Sequence, residues 1–252
     1  MLLDPPPRFS PARNPVHRLR ATLPVITAED GSPVLPGFVL WAFSLNEGDL
    51  LAVSPGPDPA GSCRFLSYAE RVWSAKEECS HPWPHVEELL RQRMAAVGPR
   101  GALRLPEEAQ ALLAGGQVLL RAESHAWRGS FTLEPVGGRR LDPELLLEAG
   151  YLLPVLPGFQ VMLPEDLLWM LDLEKGDQLA CKQSLATADF EPCELKKPPE
   201  GWQVVELGPG GLLALPESLR VPSALKPNAQ VRLEVTLSPR AALQVRQWVG
   251  LE

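Results

Sequence analysis

The chain has 252 residues, 45% of them hydrophobic and 22% charged, which excludes a chain kept unfolded by low hydrophobicity and allows one or two domains. Proline is about twice as frequent as usual, 28 residues in all, which disfavours long helices and favours short strands broken by turns. The net charge of −7 excludes a uniformly basic surface of the kind that binds nucleic acid everywhere.

Residues 1–15 carry five prolines and read as an extended arm. A first unit, 23–53, runs from an apolar strand ending in Leu35-Pro36 through an amphipathic turn to Gly48-Asp49 and a second strand, Leu50–Val53. Residues 64–97 have helical spacing, with Tyr68, Val72 and Trp73, then Val86, Leu89, Leu90, Met94 and Val97, split by Pro82 and Pro84. A second unit, 97–122, repeats the first: Leu105-Pro106, a short helix, Gly116-Gln117, then Val118–Ala122. Asp142–Ala149 opens Asp-Pro-Glu and predicts a short helix capped by Asp142. The third unit, 151–182, has Leu163-Pro164, Gly176-Asp177 and the strand Gln178–Lys182. Residues 183–201 are polar and rich in Pro and Lys and predict a loop. The fourth unit, 204–237, has Leu215-Pro216, Asn228-Ala229 and Gln230–Val235, and residues 239–248 predict a helical turn.

The four units form a duplicated pair. Pro36, Trp41, Leu45, Gly48 and Asp49 recur as Pro164, Trp169, Leu173, Gly176 and Asp177, a constant offset of 128. Gly98–Glu108 matches Gly208–Ser218 at seven of eleven positions with an offset of 110. In every unit Pro stands at the first helical position, where its missing N–H costs nothing. One strand–helix–strand unit cannot close a core, whereas two paired units can leave no free sheet edge.

At these residues the chain resembles the SpoVT/AbrB-like swapped-hairpin barrels, a family that includes MraZ. Its element reads approximately G-R-V-x-I-P-x-E-L-R followed by K-P-G-D. The fourth unit is nearest, with Gly211-Leu212-Leu213-Ala214-Leu215-Pro216-Glu217-Ser218-Leu219-Arg220 and then Lys226-Pro227-Asn228. The resemblance implies a mainly β fold with short helices, built as two tandem pseudo-dimeric barrels: residues 16–140, with 64–97 as a helical insert, and residues 141–252. It also implies double-stranded DNA as partner. The family's arginine after the glycine falls on Ser32, Ala102, Gln160 and Leu212, and its arginine four residues after the proline falls on Leu40, Gln110, Leu168 and Arg220. The DNA contacts it implies therefore rest on the second and fourth units, through Arg100, Arg104, Arg220, Lys226 and Arg232. Charge is segregated in the same sense: residues 89–140 are net +4, and residues 141–206 are net −9. Arg91, Arg93, Arg121, Arg128, Arg139 and Arg140 extend the basic set. The competing reading is a degenerate AbrB-like module for protein–protein assembly, as a homo-oligomer or with another protein, using the apolar surfaces of the first and third units.

No catalytic motif or cofactor-binding loop is present, so the sequence predicts a non-enzyme without cofactor. Cys79, His81 and His85 offer zinc-type donors but lack an evident fourth ligand unless Cys63 reaches them, so no metal is expected. A small-ligand site around Trp73, Cys79, His81, Trp83 and His85 is a third, remoter alternative. Trp41 and Trp169 are expected in the hydrophobic interior rather than on a recognition surface. Cys63, Cys79, Cys181 and Cys193 show no CxxC spacing, and no stretch has the length of a membrane span or the pattern of a secretory signal. These features predict free thiols in a reducing, cytoplasmic setting with no membrane partner.

Overall fold

The computed structural model describes residues 17–28, 30–55, 62–67, 94–113, 117–125, 128–136, 143–184, 187–193, 200–220, 229–238 and 240–247. The chain is mainly β, with antiparallel strands and short helices, and divides into two compact units between Leu145 and Leu146.

In the first unit the strands are β1 (His17–Thr27), β2 (Pro33–Val34), β3 (Leu50–Pro55), β4 (Cys63–Ser67), β5 (Met94–Val97), β6 (Leu103–Arg104), β7 (Val118–His125) and β8 (Arg128–Pro135). Helices α1 (Gly37–Ala42) and α2 (Glu107–Leu113) each follow a Leu-Pro step. Antiparallel pairing runs β5–β3–β4–β8–β7–β1. Strand β6 extends one end beside β5, and β2 pairs with β1 at the other. A bridge from Val34 to Ala102 joins those ends, so the path of pairings returns to its start.

The second unit repeats this order. Its strands are β9 (Glu144–Pro154), β10 (Gln160–Met162), β11 (Gln178–Gln183), β12 (Thr187–Pro192), β13 (Gln203–Glu206), β14 (Leu212–Ala214), β15 (Gln230–Ser238) and β16 (Arg240–Gln247). Helices α3 (Glu165–Met170) and α4 (Glu217–Arg220) again follow Leu-Pro. The pairing β13–β11–β12–β16–β15–β9 matches the first unit strand for strand, and β10 pairs with β14.

The duplication extends to single hydrogen bonds. Leu35 N–H donates to the Gly101 carbonyl at 3.0 Å, and Leu163 N–H to Gly211 at 2.9 Å. Gly48 and Gly176 turn at φ of 90° and 92° and donate to Val97 and Leu207, both at 2.8 Å. Asp49 and Asp177 each accept from the backbone N–H three residues earlier, Asn46 and Glu174, at 2.7 Å. The Gly-Asp step of the repeat is therefore a closed turn: glycine supplies the left-handed φ, and the carboxylate satisfies a backbone donor.

Alternating side chains on each strand build the interior. Phe65 on β4 stacks on Phe131 of β8 at 4.9 Å and 6°, and Phe43 meets Phe131 edge-on at 5.6 Å. In the second unit Phe190 takes the place of Phe65 and is fully buried, with Leu243 and Val245 on β16.

Several predicted elements differ. The helix expected over Asp142–Ala149 is the first half of β9, where Leu147, Ala149, Tyr151 and Leu153 are buried with a period of two. The helical turn expected over 239–248 is β16, paired along its length with β15. The loop expected over 183–201 contains β12, which buries Ala188 and Phe190. The helical insert expected over 64–97 begins and ends as strands β4 and β5; its interior, 68–93, and the arm at 1–15 lie outside the described residues.

Candidate nucleic-acid interface

Arg100 and Arg104 sit on one tight turn of the first unit. A 3-10 turn, Pro99–Gly101, is closed by Gly98 N–H donating to the Ala102 carbonyl at 2.7 Å. Within it Arg100 takes φ 54° and ψ 27°, the left-handed region that a side chain enters at a cost of about 1–2 kcal/mol. The matching turn of the second unit, Pro209–Gly211, places Gly210 there at φ 67°. Arginine thus occupies a conformation for which the twin turn uses glycine, and its side chain is exposed. Arg104 follows on β6, exposed, and pairs through its backbone with Ala96.

The electrostatics of this turn favour anions only in part. Asp30 lies within the field of Arg104. Its carboxyl is held below the ordinary value mainly by the Ser32 backbone N–H, which donates to Oδ1 at 2.9 Å, then by the Ser32 side chain, with a smaller contribution from Arg104. Neither Arg100 nor Arg104 closes an ion pair among the described residues.

The other expected contacts are placed differently. Arg232 lies on β15 in the second unit, its Nε 3.0 Å from Glu234 Oε1, and the same carboxylate also accepts from Arg246. Its guanidinium covers Gly150, where an added Cβ would lie 3.6 Å from Nη2. Arg220 ends α4, and Lys226 lies outside the described residues. Of the wider basic set, Arg121 is bound to Glu134 at 2.8 Å, and Arg91, Arg93, Arg139 and Arg140 lie outside the described residues. The first unit therefore brings Arg100 and Arg104 together in the open, while Arg232 is already engaged.

Cys79, His81 and His85, with Trp73 and Trp83, lie outside the described residues. Cys63 is buried on β4, and among the described residues no three His, Cys, Asp or Glu gather around a common point. Trp41 is fully buried on α1, and Trp169 is half-buried on α3.

The two buried thiols are shifted in the same direction. Burial pushes Cys63 up, and burial with the nearby Asp189 carboxylate pushes Cys181 up to about 11. The thiolate is the reactive form, so at pH 8 only about one Cys181 in a thousand is ionised. Native protein treated with iodoacetamide at pH 8 should leave Cys63 and Cys181 unlabelled by peptide mass mapping, and both should label once denaturant is added. Labelling of Cys181 at the denatured rate would contradict its burial.

One feature beside Arg104 is absent from the sequence reading. A cleft of about 550 Å³ opens between the segment Gly31–Pro33 and the segment Leu103–Leu105. The signal that could have located it is Pro33, which stands where the third unit has Val161.

No known protein family matches the chain, and no curated protein does. Among solved structures, the solution structure of PHS018 from Pyrococcus horikoshii aligns with 41% of this chain and 95% of its own, at 16% identity and a TM-score of 0.25.

Proposed function

We propose that this chain is a non-enzymatic AbrB-like DNA-binding protein, a transcriptional regulator that contacts duplex phosphates through the basic turn of its first unit. The observation that carries the reading is Arg100: an exposed cation in a left-handed conformation, four residues before a second exposed arginine. Strained backbone persists where the surrounding structure enforces it, and such positions cluster at functional sites. The fourfold Leu-Pro, helix, turn and strand unit, with the closed path of pairings in the first half, supports two tandem swapped-hairpin barrels as the scaffold. Arg220 and Lys226 would add contacts from the second unit, and Arg232 would add one only by leaving Glu234. A cytoplasmic location accords with this reading, and no described helix is long and apolar enough to cross a membrane.

Exposed apolar side chains favour a second reading, assembly with protein. Leu152, Met162 and Val204 in the second unit are 50%, 42% and 43% exposed. Fluorescence anisotropy of a labelled duplex with the full chain separates the two. DNA binding should be present at ~50 mM salt and fall about tenfold or more by ~200 mM, as release of counterions from two or more phosphates requires. Absence of binding at ~50 mM salt would overturn the DNA reading, and a concentration-dependent increase in mass by light scattering would then support assembly.

A further inference from the structure

The geometry points to a small-molecule site in the first unit, the cleft between β2 and β6, which takes a carboxylate with an apolar body. The site does not depend on the DNA reading, because it is defined by a difference between the two units.

In the second unit the equivalent ladder is zipped. Met162, Val161 and Gln160 stand opposite Leu212, Leu213 and Ala214, and Leu215 N–H closes the next rung to the Phe159 carbonyl at 2.8 Å. In the first unit the ladder starts identically, with Leu35 N–H on Gly101 and the Val34–Ala102 bridge, and then stops. The next position is Pro33, which has no N–H to give to Leu103, where the second unit has Val161 opposite Leu213. Beyond it Pro33 pairs with Thr27 of β1, and Arg104 pairs with Ala96 of β5. The two segments part, and the space between them is the cleft.

Its walls combine apolar side chains and polar groups in nearly equal measure, so one ligand can meet both. Leu113 and Val118, both buried, form an apolar wall, while Thr27, Ser32 and Gln110 bring hydroxyl and amide groups to it. Arg104 lines the same cleft and supplies its cation. The volume, about 550 Å³, lies within the range of metabolite pockets, roughly 300–1,000 Å³. A guanidinium fork matches a carboxylate in two parallel hydrogen bonds. The corresponding position carries Val34, Met162 and Ala214 in the other three units, so the charge belongs to this cleft alone among the repeats.

Titration of the ¹⁵N-labelled full chain with octanoate, followed by amide chemical shifts, tests the assignment. Saturable shifts should centre on Ser32, Leu103, Arg104 and Leu105. Arg104→Met should weaken octanoate at least tenfold, and octanamide, equal in shape but neutral, should bind at least tenfold more weakly than octanoate. Pro33→Val restores the missing donor, so it should extend the ladder toward the zipped form and also weaken binding, with the remaining spectrum preserved. Shifts that never saturate, shifts centred elsewhere, or equal affinities for octanoate, octanamide and Arg104→Met would each overturn the site.

Discussion

Charge reversal of Arg100 and Arg104 together to Glu should remove duplex binding. Each phosphate contact contributes about 0.9 to the slope of log affinity against log salt, so losing two lowers that slope by ~1.8. Affinity at ~50 mM salt should fall more than about tenfold, since the two new carboxylates also repel the backbone. The double Lys variant keeps both charges and should keep the slope. The converse change is informative: Gly210→Arg with Ala214→Arg copies the basic turn into the second unit, at a backbone position where Arg100 already adopts nearly the same φ, 54° against 67°. It should steepen the slope by a similar amount. A double Glu variant with unchanged slope and affinity would remove these arginines from any DNA contact.

Gly211→Ala should be among the most destabilising small substitutions in the chain. At φ 83° an alanine pays about 1–2 kcal/mol for the left-handed conformation alone. Its Cβ would also lie 2.6 Å from Leu168 Cδ1 and 3.1 Å from the Leu163 carbonyl oxygen. Leu168 can rotate away, but the Leu163 backbone is anchored, because its N–H donates to the Gly211 carbonyl at 2.9 Å. Weakening that bond adds about 1 kcal/mol, for a total of about 2–3 kcal/mol. Gly101→Ala repeats the experiment in the first unit, against the Leu35 carbonyl at 2.9 Å and Leu40 Cδ1 at 3.0 Å. Gly176→Ala is the control: φ is 92° but nothing lies within 4 Å of the added methyl, so only the conformational cost of about 1–2 kcal/mol remains. Urea unfolding of the three variants should place Gly176→Ala above the other two. Equal losses would mean that the close approach of the two Leu-Pro strands yields to a methyl group without cost.

The order of short helices and turns is legible in the repeat alone. Leu-Pro followed by a short helix and a Gly-Asp turn is local chemistry: proline fixes a helix start, glycine supplies a left-handed φ, and aspartate caps a backbone donor. Strands β9 and β16 carry a helical signal in the sequence because their residues favour helix in isolation. Glu144-Leu145-Leu146-Leu147-Glu148-Ala149 is a run of strong helix formers, and its second half is held as strand by pairing of Leu147, Glu148 and Ala149 with Leu237, Thr236 and Val235 of β15. The alternation of Ala188 and Phe190 with Thr187, Asp189 and Glu191 was visible, but surrounding prolines and lysines obscured it. At the candidate interface, Arg100 and Arg104 could be named from the basic charge of the second unit, whose motif arginine positions carry Ala102 and Gln110 instead. The engagement of Arg232 by Glu234 could not, because two arms of β15 residues had first to be placed on one face with Arg246 from β16. The cleft was invisible for a similar reason: it arises from the register at which one ladder stops and its twin continues.

Holding both copies of this fold within one polypeptide frees each to vary separately. A regulator assembled from identical subunits changes every copy of a residue at once, and its target inherits that symmetry. Here one gene position sets Arg100 and another sets Gly210, one sets Pro33 and another Val161. Evolution can therefore tune one half for contact and the other for rigidity, and a duplex bound as proposed above would have no reason to be a palindrome.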